Sequence, residues 1–222
     1  MPKTHPPLLL RDALATLYVS AASHANATAL AAIDELAVWT PATPPPPLLG
    51  GLTDANGAPL FGADGGLAEV FAPLESYVTD RARRFAAACG WLRADGLLGD
   101  AIEASRAAWD AGLFFEVHEV LEPVWLEAEG LRKVALQGLI MAGAALHHLT
   151  EGNLAGAAPL LRDAALRLRV SEPEWPPLAL GPFADGLAEL GGRVARGEVR
   201  AIADVQELPA LERFTDKSAT AR

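Results

Sequence analysis

Phe114-Phe115-Glu116-Val117-His118-Glu119-Val120-Leu121-Glu122-Pro123-Val124-Trp125 interleaves apolar side chains with closely spaced acids and an imidazole. It sets four acidic or imidazole side chains within seven residues of an otherwise apolar segment. At about 100° per residue counted from Phe115, His118 falls at about 300°, Glu122 at about 340° and Glu119 at about 40°. Phe115 and Leu126 share that sector, so this face is expected to be the buried one. Glu116, at about 100°, stands apart.

Downstream come Gln137-Gly138-Leu139-Ile140, then Ala144-Ala145-Leu146-His147-His148, then Gly152-Asn153 and Gly156-Ala157. The Phe-Phe-Glu-x-His-Glu-x-Leu-Glu-x-x-Trp run, Gln-Gly-Leu-Ile, and Ala-Ala-Leu-x-His followed by Gly-Asn-x-x-Gly-Ala together resemble the helical proteins grouped as domain-of-unknown-function family 309. The resemblance covers roughly residues 100 to 170. It implies an all-α fold and, by the family's loose functional description, a metal-dependent hydrolase.

The composition points to the same fold class. Half of the 222 residues are hydrophobic, dominated by alanine and leucine, with few aromatic side chains. That balance favours helix over sheet. The formal net charge of -10 is spread over both halves. No basic face is indicated, which argues against nucleic-acid binding. Cys89 is the single cysteine, so an intrachain disulfide and a cysteine-based zinc cluster are excluded. Arg11 and Asp12 interrupt Leu8-Leu9-Leu10 before it reaches the length of a secretory core, giving a cytoplasmic expectation. Val134 to Leu149 is the most apolar segment, but it is shorter than the roughly 20 residues of a membrane span and holds Gln137, His147 and His148. No membrane association is expected.

Helical periodicity predicts helices at 8–22 and 27–38, an N-terminal extension over 1–40. Residues 41–66 are crowded with proline and glycine, as a linker or a surface loop. A helical bundle is expected over 67–210, and a flexible tail over 211–222. Within the bundle, Leu67 to Ala88 reads as a helix carrying Pro73 in its first turns. Asp100 with Glu103 starts the next at 101–111. The motif helix turns at 128–130 into a long apolar helix at 132–149, and the pair forms a central antiparallel hairpin. Gly152 stops that helix and Asn153 caps the next. Glu172 to Pro177 is a rigid connector, and a last helical region spans about 183 to 205. Small residues at Gly138, Ala142 and Ala145 offer a stripe for close helix packing.

An ionised carboxylate buried without a partner costs several kcal/mol, so the motif needs compensation. One form is a divalent metal. His118 and Glu122, at i and i+4, are spaced to ligate zinc, manganese or iron, and Glu119 is placed to act as general base on a bound water. Phe115, Glu116, Gln137 and His148 are the expected pocket residues around an unknown small substrate. The alternative binds no ion. Here the same groups fix helix register in a non-enzymatic interaction module, Gln137 donates to Glu122 across the hairpin, and a homo-oligomer stays open. A hairpin site built from His118, Glu122 and His148 alone fails on reach. It needs a bend at Gly138, Gly143 or Pro123, or a ligand from another helix or subunit.

Overall fold

The computed structural model describes residues 8–40, 46–54, 56–172 and 178–212. Among these the chain is all-α, with eight α-helices and only two isolated β-bridges. It divides into two compact units, Met1–Glu119 and Val120–Arg222. The compact units therefore divide elsewhere than at the expected boundaries of 40 and 66.

In the first unit, α1 (Leu8–Ser23) and α2 (Ala27–Val38) pack on each other and on α3 (Glu75–Ala94), and α4 (Ala101–Asp110) lies against α1 and α3. Asn26 starts α2 by accepting the Ala29 N–H at 3.0 Å. Asp100 starts α4 by accepting from Ile102 and Glu103. These caps satisfy amides that a helix start leaves unpaired. Leu10, Leu14, Ile33, Phe85 and Leu92 form the core with Tyr18, whose ring stacks on Phe85 and whose hydroxyl donates to the Ala104 carbonyl at 2.9 Å. The two N-terminal helices thus belong to this core.

The described part of the proline and glycine segment is a packed loop. Leu49, Leu60 and Phe61 are buried, and Trp39 sets its ring edge-on to Phe61. The Trp39 indole N–H donates to the Gly65 carbonyl at 3.0 Å. The expected helix from Leu67 begins late. Residues Ala72–Leu74 form a 3-10 turn around Pro73, and α3 proper runs from Glu75. Proline disfavours α geometry at the residue before it, so the helix nucleates only after the ring is passed. Val70, which precedes that turn, is exposed.

The motif helix α5 (Phe114–Glu127) carries the division between the units and runs unbroken through Pro123. In the second unit, α6 (Gly130–Thr150) packs on α7 (Leu154–Ser171), and α7 on α8 (Leu180–Ala195). The small-residue stripe of α6 is where α7 approaches. A Cβ added at Gly138 would stand 2.8 Å from Leu168 Cγ and 3.3 Å from the Ala164 carbonyl oxygen. α8 stops earlier than expected because Gly197 adopts a φ of 74°, the left-handed terminator that glycine suits. Residues 173–177 of the expected connector and 213–222 of the expected tail lie outside the described residues.

Candidate functional site

The buried face of α5 differs from the one expected. Phe114, Val117, Val120 and Leu121 are buried, and Glu116 has no exposure at all. Counted from Phe114, these five occupy an arc from about 200° to 360°. Phe115, His118, Glu119, Glu122 and Leu126 occupy the opposite arc, from about 40° to 140°. Leu126 is 63% exposed, Glu122 is exposed, and the side chains of His118 and Glu119 retain 35% and 33% of their surface. The expectation is corrected by a rotation of the helix. Phe115 and Leu126 suggested one apolar phase, whereas Phe114, Val117 and Leu121 mark the phase that the fold uses.

Glu116 is therefore the carboxylate that needs compensation. Arg81 on α3 supplies it, with Nη2 placed 3.1 Å from Oε2. The contact is an ion pair without hydrogen-bond geometry, because neither carboxylate oxygen has a hydrogen-bond partner among the described residues. Burial pushes the Glu116 carboxyl above its ordinary range, Arg81 pulls it down, and the Glu119 charge adds to the upward push. Burial wins, since a wholly desolvated carboxylate loses more hydration than one imperfectly aligned guanidinium restores. Arg81 also donates from Nε to the Tyr77 hydroxyl at 3.3 Å.

Toward solvent, the Arg11 guanidinium lies 3.9 Å from the centroid of the Phe115 ring, a cation–π contact. The Phe115 and His118 rings follow at 6.5 Å between centroids. His118 Nδ1 is 3.0 Å from Glu119 Oε1. An ionised carboxylate only accepts, so Nδ1 carries the proton. The structure thus couples Glu119 to the neighbouring imidazole, an orienting contact for a residue expected to act as a base.

In the second unit, Gln137 is half-buried on α6 and His148 half-buried near that helix's end. The α6–α7 turn is built around His148. Gly152 takes a φ of 73° and donates to the Leu149 carbonyl at 3.1 Å, while the Asn153 N–H donates to the His148 carbonyl at 2.8 Å. These are the two bonds of a Schellman terminator. The Asn153 side chain then caps α7, its Oδ1 accepting from Gly156 N–H at 3.0 Å, and its Nδ2 lies 3.1 Å from His148 Nδ1. Gly156 leaves room for both groups, since a Cβ there would stand 2.9 Å from Asn153 Nδ2 and 3.1 Å from His148 Cγ. Every residue named in Gly-Asn-x-x-Gly has a task in this turn.

Residues 102–160 match the family model described as Domain of unknown function (DUF309). An uncharacterized protein of Aquifex aeolicus (strain VF5) is 32% identical over 93 residues, which are 41% of this chain. The alignment spans 28% of the length of that relative. No solved structure matches.

The DUF309 match holds Glu116, His118, Glu119, Glu122, Gln137 and His148, but Arg81, Tyr77 and Arg11 lie outside it. In the sequence, Arg81 stands with Arg83 and Arg84 where cations suit a helix end. A signal was present. Arg81 falls three residues after Val78 and four before Phe85, on the stripe that α3 buries. An arginine on such a stripe calls for a buried acid. Arg84 does serve a helix end, that of α4, by donating to the Ala111 carbonyl at 3.1 Å.

Among the described residues, no group of three or more His, Cys, Asp or Glu side chains is placed to hold a metal ion. His118 and Glu122 lie one helical turn apart and make at most half of a site. None of the helices over the described residues is long and apolar enough to cross a membrane.

Proposed function

We propose that the DUF309-matched segment belongs to a non-enzymatic helical interaction module in which the charged motif residues are structural. The single observation behind this reading is the ion pair between Glu116 and Arg81, 3.1 Å long, in which the carboxylate is wholly buried. It spends the motif's buried carboxylate on joining α5 to α3. The His118–Glu119 contact works in the same direction, engaging both side chains within one turn of α5. With a net charge of -10, the partner is a protein surface or a second copy of the chain, not a nucleic acid.

The test is elemental analysis of purified protein after incubation with zinc, manganese and iron(II), beside thermal unfolding with and without chelator. The structural reading expects no stoichiometric metal and an unchanged melting temperature. His118→Ala should then cost only the lost, partly exposed contact, about 0 to 1 kcal/mol in denaturant unfolding. One bound metal per chain, lost in His118→Ala, would overturn it.

The second reading is a metal-dependent hydrolase acting on a small substrate, with zinc, manganese or iron bound by His118 and Glu122. One observation favours it. A metal-bound histidine commonly donates its other ring N–H to a carboxylate, as His118 does to Glu119. On this reading Glu119 orients the ligand, and the remaining ligands come from beyond the described residues or from a second chain.

A further inference from the structure

We infer that Asn153 is a positioning residue that fixes neutral His148 in the tautomer protonated at Nε2, so that His148 acts there as a hydrogen-bond donor and not as a metal ligand. The inference stands apart from the function proposed above. It rests on the α6–α7 turn alone.

An asparagine amide has an accepting oxygen and a donating nitrogen. Here the backbone decides. The first turn of α7 offers only N–H groups, and the cap bond from Gly156 N–H at 3.0 Å can be accepted only by Oδ1. Turning the amide over would set Nδ2 against that N–H, donor against donor. With Oδ1 committed, the end facing the imidazole is Nδ2, 3.1 Å from Nδ1. An amide NH2 accepts nothing, so Nδ1 must present its lone pair. In a neutral ring the proton then sits on Nε2.

The turn has little freedom to escape this arrangement. Asn153 holds the same histidine through the main chain, its N–H on the His148 carbonyl at 2.8 Å. The backbones of the two residues therefore stay together while the turn is folded. Gly156 keeps the space that both occupy, because a Cβ would come within 3.2 Å of Asn153 Cγ as well as closer to Nδ2 and the ring.

The consequence is chemical. Ligation of a metal through Nε2 requires the lone pair at Nε2 and the proton at Nδ1, where it would collide with the Asn153 NH2 hydrogens. An Nε2–H suits an oxygen acceptor instead. His118, whose Nδ1 faces a carboxylate, has the opposite arrangement. The two motif imidazoles are thus set to opposite roles by their partners.

The experiment is a long-range 1H–15N correlation spectrum of the full chain, uniformly 15N-labelled, at a pH where the ring is neutral. His148 is assigned from the signals missing in His148→Gln. The expected pattern has a pyrrole-like Nε2 and a pyridine-like Nδ1. Asn153→Asp keeps an equally good cap but turns an acceptor toward Nδ1, so Nδ1 should become pyrrole-like. Asn153→Ser keeps the cap without the ring contact and should give a mixture of tautomers. Adding zinc to the wild type should leave the His148 signals in place. A pyrrole-like Nδ1 in the wild type, an unchanged pattern in a folded Asn153→Asp, or loss of the Nε2 proton on zinc addition would each overturn the inference. If Asn153→Asp fails to fold, the wild-type spectrum and the zinc titration still decide it.

Discussion

Arg81 and Glu116 form an ion pair in which the carboxylate has no exposed surface and the guanidinium side chain keeps 11% of its own. Such a pair ties two helices together at a high desolvation cost, so its halves depend on each other more than the fold depends on the pair. Arg81→Met or Glu116→Leu alone leaves a charge buried without its partner. Each should destabilise the protein by about 3 to 5 kcal/mol in urea unfolding at neutral pH. The double variant should cost less than either single change, and that coupling is what the double-mutant cycle measures. Additive costs would mean that the two side chains act independently.

The pH dependence of stability should carry a Glu116 contribution of definite sign. Burial, opposed by Arg81, holds this carboxyl above its ordinary range. The folded state therefore binds the proton more tightly than the unfolded chain does. The corresponding stability is complete below the ordinary carboxyl range and is lost as pH rises through the raised value. Denaturant unfolding between about pH 4 and about pH 8 should show wild type losing stability relative to Glu116→Gln as pH rises. A constant difference between the two proteins would contradict the assignment.

Cys89 should be inert in the native protein. The thiol is buried on α3, and burial pushes its pKa up to about 12. Both the lack of access and the scarcity of thiolate act against it as a nucleophile. Ellman's reagent should titrate it only as the protein unfolds, with a rate that follows denaturant concentration. Fast stoichiometric labelling in native buffer would show that this part of α3 opens readily.

Gly138→Ala tests the contact between α6 and α7. Alanine gains about 1 kcal/mol in helix propensity over glycine. The new methyl would meet Leu168 Cγ at 2.8 Å and Cδ2 at 3.0 Å, and Leu168 is wholly buried and cannot swing away. Overpacking of this kind typically costs about 1 to 3 kcal/mol. A net loss of stability is expected in urea unfolding. A more stable variant would show that the two helices can separate without penalty.

The eight helices among the described residues were legible because their causes are local. Alanine and leucine at helical spacing propose each helix. Asn26, Asp100 and Asn153 cap three starts, while Gly112, Gly152 and Gly197, all at positive φ, mark stops. Where the reading slipped, at Leu67 and beyond Ala195, the deciding residues were again local ones, Pro73 and Gly197. The candidate site was legible as a list of residues but not as an arrangement. α5 has apolar side chains on both sides, Phe114, Val117 and Leu121 on one and Phe115 and Leu126 on the other, so its periodicity admits two buried phases. The larger number of apolar side chains favours the first phase, and the cost of turning Glu116 inward opposes it. Arg81, more than 30 residues away in sequence, offsets that cost, because the phase that turns Glu116 inward brings the buried carboxylate to a nearly buried cation. That energy is a property of two helices already packed together, and it exists only in the tertiary structure.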